Sequence, residues 1–148
     1  MTIAYIIGIL IVLYIVYKVL AAVGLVKTAA AKKKEAAEAA ATTEITVGNF
    51  WQPDYWKTQT GFSKLGVENA KEFATDIHDS IYGFLKIGTN AAKIMTTFGR
   101  CYNKINVSEI SDAYNQKYER DMQADLLNNL TDEHIAQLVS IVNNLPNR

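Results

Sequence analysis

VENAKEFATDIHDSIYGFL, residues 67–85, is the stretch on which the fold turns. Val67, Ala70, Ala74, Ile77, Ile81 and Leu85 recur at steps of three and four. That spacing gathers them on one face of a helix. Gly83 and Gly88 punctuate its end. Downstream, Thr89 or Asn90 is placed to cap a second helix carrying Ile94, Met95 and Phe98. Asn106 followed by Glu109 has the spacing of a capping box opening a third, with Ile110, Ala113, Tyr114 and Tyr118 on its stripe. Asp121 caps a short fourth with Met122, Leu126 and Leu127. Thr131 caps a fifth, whose face is Ile135, Leu138, Val139 and Val142. Asp132 and Glu133 suit the positive end of that helix dipole, and Asn143, Asn144 and Pro146 stop it. No stretch alternates as a strand does. The expected class is all-α, with a five-helix module over residues 67–148.

Working toward the N-terminus, residues 48–66 change character: GNFWQPDYWKTQTGFSKLG. Both tryptophans lie here, with turn residues Pro53, Asp54, Gly61 and Gly66. Two uses compete. The aromatics pack onto the module as a lid, or Phe50, Trp51, Tyr55 and Trp56 form a docking patch for a partner. Residues 28–47 are rich in alanine, lysine and glutamate, the composition of a semi-rigid helical spacer. A disordered tether is the competing reading.

Residues 1–27 differ again. From Ile3 to Val26 only Gly8, Lys18 and Gly24 are not hydrophobic. As a helix this stretch reaches about 36 Å, enough for a bilayer core with some tilt. A single transmembrane helix is therefore expected, with Lys18, next to Tyr17, snorkelling to one interface. A cleaved signal peptide is the rival, but it wants a basic leading segment and no internal lysine. Lys27, Lys32, Lys33 and Lys34 follow the span and none precedes it. They are expected to touch anionic headgroups and to leave the C-terminal module on the cytoplasmic side, or its equivalent in a virion.

Composition narrows function by exclusion. Fifteen basic side chains balance fifteen acidic ones, so there is no basic face for nucleic acid. The charge is divided, with five basic and three acidic residues in 1–47 against ten and twelve in 48–148. One cysteine, Cys101, excludes an internal disulfide framework. Asp76 and Asp79 flank His78, the one place where carboxylates stand on both sides of a histidine, and on a helix the three do not converge on a metal. No nucleophile–base arrangement or phosphate-cradling glycine loop occurs. The acidic residues Asp121, Asp125, Asp132 and Glu133 read as a solvated face and caps, or as a degenerate cation site or docking surface.

An ordered set of short motifs carries a resemblance. It runs Gly88-Thr89; Ile94-Met95-Thr96-Thr97 ending at Arg100; Ile110-x-x-Ala113-Tyr114; Tyr118-x-Arg120-Asp121-Met122-x-x-Asp125-Leu126; and Leu130-Thr131. Over about Glu68 to Leu145 this resembles a single annexin repeat. The resemblance implies five helices wound in a right-handed superhelix and calcium-dependent binding to acidic phospholipid. The family's calcium site uses a Gly-x-Gly-Thr turn and a later carboxylate. Lys86 stands at the first glycine, before Gly88 and Thr89, and Asn129 stands near the carboxylate position. Both replacements work against calcium, which needs six to eight oxygen ligands. A single such module behind a short span also resembles small uncharacterised proteins of bacterial viruses. The combined expectation is a non-enzymatic, single-pass membrane protein without a cofactor. It would bridge the lipid bilayer to other proteins of an assembly, such as the virion of a membrane-containing bacterial virus. A calcium- and phospholipid-responsive module is the alternative.

Overall fold

The computed structural model describes residues 14–16, 18–19, 29–83 and 88–147. Its helices are α1 (Ala29–Val47), α2 (Val67–Tyr82), α3 (Ala91–Gly99), α4 (Ile105–Tyr118), α5 (Met122–Asn129) and α6 (Asp132–Asn143). Two 3-10 turns, Asn49–Trp51 and Tyr55–Thr58, lie between α1 and α2. Residues 14–16 and 18–19 are helical, and no strand occurs among the described residues. The protein is all-α. The chain divides into two units, Met1–Ala37 and Glu38–Arg148.

The expected membrane span is corrected here. Among the described residues no helix is long and apolar enough to cross a membrane. The single-pass architecture and the orientation read from the flanking lysines lose their basis with it. Most of the stretch that suggested them, including Ile3, Tyr17, Val26 and Lys27, lies outside the described residues. Of its other residues, Lys18 is exposed and its Nζ lies 5.7 Å from the Tyr14 ring centroid.

Residues 28–47 have the composition of a helical spacer or a tether. From Ala29 to Val47 they are one helix, with Lys32, Lys33 and Lys34 exposed. Its last turns are not a spacer at all. Ala41 and Ile45 are buried with the module core. Gln123 Nε2 donates to the Ile45 carbonyl at 2.5 Å. Asn143 Nδ2 donates to Glu44 Oε2 at 3.1 Å.

The five helices of the module form for local reasons that the sequence displays. Asn90 Oδ1 accepts from the Lys93 N–H, Asp121 Oδ1 from Gln123 and Ala124, and Thr131 Oγ1 from His134. Each satisfies first-turn donors that a helix leaves unpaired. α2 ends at Gly83, where an added Cβ would sit 2.4 Å from the Asp79 carbonyl oxygen. α4 ends at Glu119, a non-glycine residue held left-handed at φ 54°. α2 packs against α3 and α4, and α3 packs against α6. Ala70, Phe73, Ala74, Ile77 and Ile81 enter the core from α2, and all four expected residues of α6 do so too. Val67 is corrected: at 68% exposure it lies off the core. Leu85 lies outside the described residues.

α4 is the central helix. Residues 105–112 are all buried, so this helix has no solvated face to show along that length. Its polar side chains must therefore find partners inside the protein.

Candidate functional site

Those partners come from residues 48–66, which run along α4 as a strap. Trp51 is 0% exposed and packs on Phe98, ring centroids 5.6 Å apart, and on Phe50 at 5.9 Å. Its Nε1 has no hydrogen-bond partner. Trp56 is half-buried; its backbone N–H donates to Ser108 Oγ, and its Nε1 donates to Asp112 Oδ2 at 3.1 Å. Ser108 Oγ in turn donates to the Gln52 carbonyl. Lys57 Nζ bridges Asp54 and Asp112 at 2.8 and 3.2 Å, and those two carboxylates raise its pKa. The segment is thus a lid. Trp51 offers no surface to a partner, and Phe50, Tyr55 and Trp56 are partly covered.

Further along the strap, Asn106 was expected to cap α4 with Glu109. Instead the pair forms a buried staple. Asn106 Nδ2 donates to Glu109 Oε2 at 2.6 Å and to the Ser63 carbonyl at 2.9 Å. Glu109 Oε2 also accepts the Leu65 N–H at 2.9 Å. Asn103 Nδ2 joins at the Ser63 carbonyl. The two residues that resemble a local cap hold a segment some forty positions away.

Between α2 and α4 lies a cavity of about 360 Å³ whose lining includes Trp56, Val67, Ala70, Glu109, Asp112 and Ala113. Its volume falls in the range of small-molecule sites. Val67, which the apolar spacing assigns to the core, lines this space instead, and so does Asp112, which no motif marks.

A second polar cluster sits where α4 turns into α5. Arg120 grips Asp125 with Nε on Oδ2 and Nη2 on Oδ1, both at 2.6 Å. Tyr114 and Tyr82 hydroxyls donate to the same carboxylate at 2.7 and 2.8 Å. Burial works to raise the Asp125 pKa, but the bonds from Arg120, Tyr114 and Tyr82 outweigh it and hold the carboxyl below its ordinary value. Burial and the Asp125 bond push the Tyr114 hydroxyl well above the usual tyrosine range. Asp125 is therefore neither solvated nor available to a cation. Asp121 caps α5, as expected.

His78 meets only one of its flanking carboxylates: its Nδ1 lies 3.3 Å from Asp79 Oδ1, while Asp76 pairs with Lys93 at 2.7 Å. The His78 ring stacks on Tyr118, centroids 3.8 Å apart and planes nearly parallel. Cys101 is buried, and that burial, aided by Glu109 and opposed by Arg100, pushes its thiol pKa up to about 12. At the annexin-type calcium positions, Lys86 lies outside the described residues and Gly88 is left-handed at φ 92°. Asn129 Nδ2 donates to the Asp125 carbonyl at 2.8 Å and to the Tyr82 hydroxyl at 3.4 Å. Among the described residues no group of three or more His, Cys, Asp or Glu is placed to hold a metal ion.

No family model matches the chain, and no curated protein or solved structure matches it either.

Proposed function

We propose that the chain is a non-enzymatic structural or interaction protein acting as a component of a larger assembly. One observation carries this reading: the side chains that most often do chemistry are occupied in holding segments together. Asp112 fastens the strap through Trp56 and Lys57, and Asp125 fastens Arg120 and two tyrosines. His78 is stacked, and Cys101 is buried with a thiol that stays protonated at neutral pH. A general acid, base or nucleophile needs a free lone pair or proton within reach of substrate. The exposed length of α1 with its lysines supplies an accessible surface.

Residues 68–145, on this proposal, are a single annexin-like repeat. It is supported by the order of five helices and by Glu119. That residue occupies the place where the family's tyrosine–glycine–arginine turn has glycine, and its backbone is left-handed at φ 54°, a conformation that suits glycine. The particle of a bacterial virus is the assembly that the sequence resemblance suggests.

Cross-linking the full chain in its native setting with a lysine-reactive reagent tests the proposal. Links from Lys32 or Lys33 to another protein are expected. Intrachain links alone, or calcium-dependent attachment to anionic vesicles, overturn it.

A further inference from the structure

We infer that the cavity between α2 and α4 is a binding site for a small organic cation, an alkylammonium whose head meets Glu109 and whose chain lies between Trp56, Val67, Ala70 and Ala113. This goes beyond the assembly reading and does not depend on it.

The walls set the body of the ligand. Val67, Ala70 and Ala113 offer methyl groups, and Trp56 offers an indole. Val67 is 68% exposed on the lip, an apolar residue that no neighbour covers. A site of this size with mostly apolar walls and few polar groups takes a small ligand and orients it through those few groups.

The floor sets the charge. Glu109 is 7% exposed, and both of its hydrogen bonds fall on Oε2. Oε1 is the atom left for a ligand. Asp112, its neighbour one turn on, already receives Trp56 Nε1 and Lys57 Nζ, so its charge is paired and Glu109 is the carboxylate left to a ligand. The two lysines of the lining do not reverse this sign. Lys71 Nζ is bonded to Glu68 and Lys117 Nζ to Thr75, and neither Glu68 nor Thr75 lines the cavity. Each ammonium already has a hydrogen-bond partner outside the lining. The Trp56 ring already receives one ammonium, with Lys64 Nζ 5.6 Å from its centroid, a cation–π distance. A carboxylate ligand of the same size would meet Glu109 and Asp112 as like charges, and a neutral alcohol would forgo the charge-assisted bond.

The probe is n-butylammonium chloride titrated into the full isotope-labelled chain at neutral pH, with amide resonances followed. Saturable shifts confined to the amides of Val67, Ala70, Glu109 and Ala113 are expected, with 1-butanol and butyrate giving none at equal concentration. Glu109→Gln keeps an oxygen acceptor for the Leu65 N–H and should weaken butylammonium binding at least tenfold while the melting curve shows a folded protein. Ala113→Phe fills the cavity and should abolish binding. If that variant does not fold, the ligand series and Glu109→Gln still decide. Absence of saturable shifts with butylammonium, equal shifts with butanol or butyrate, or unchanged affinity in Glu109→Gln each overturns the inference.

Discussion

Arg120 and Asp125 form a two-pronged charge pair across the turn between α4 and α5, with both prongs at 2.6 Å and the Asp125 side chain only 6% exposed. Five residues apart in sequence, they fix the angle at which one helix hands over to the next. Removing Arg120 leaves a buried carboxylate with only hydroxyl donors. Arg120→Ala should destabilise the protein, by less than breaking a fully buried pair would, because the arginine is itself 46% exposed. Urea denaturation checks this, and Arg120→Ala combined with Asp125→Asn should recover part of the loss.

The same carboxylate predicts a pH dependence. Its folded pKa lies below the unfolded value, so it contributes stability above the unfolded pKa. That contribution is lost as pH falls through the folded value. The melting temperature should drop on acidification below about pH 4, near the ordinary carboxyl pKa, and drop less steeply in Asp125→Asn. Melting curves between neutral and acidic pH measure it.

Cys101 should resist thiol reagents in the native protein. Burial holds its pKa near 12, so the thiolate needed for attack is scarce at pH 8. Labelling with a chromogenic disulfide should be slow in buffer and complete within minutes in denaturant. Fast native labelling would contradict the buried placement.

Glu119 bears a left-handed backbone at φ 54° that glycine adopts without strain. Glu119→Gly should therefore stabilise the protein, by about 0.5–1 kcal/mol, where glycine inside a helix would do the reverse. Thermal or chemical denaturation checks the sign.

Asn106→Asp tests the staple. The change is isosteric but replaces a donor with a second carboxylate against Glu109 Oε2, now 2.6 Å away. It also strips one donor from the Ser63 carbonyl. A cost of about 2–4 kcal/mol follows from an unpaired buried polar group and the like charge.

The helices were legible because their caps and apolar steps are local. Asn90, Asp121 and Thr131 cap as their spacing announces, and the α6 face is read without error. Phe73 is buried too, three residues after Ala70 and four before Ile77, so the same spacing already offered it. α4 hid more. A helix buried on every side has polar residues that look like a solvated face, and Ser108, Glu109 and Asp112 gave no sign that the strap would cover them. Their partners lie more than forty residues away, beyond any periodicity. Asn106 and Glu109 misled for the same reason, since a local spacing was put to a distant use. The extended apolar run at residues 3–26 was read as a span, and no described helix has the length and apolarity that reading required.

The burial of Ala41 and Ile45 has a practical corollary. A protease trimming the chain from its N-terminal side should stall near Glu38, not at the glycine that ends α1 or at the start of α2. A fragment cut at Val67 would leave the seats of Ile45, Trp51 and Leu65 empty. The smallest piece that keeps its core intact thus begins inside a helix, ten residues before the aromatic strap.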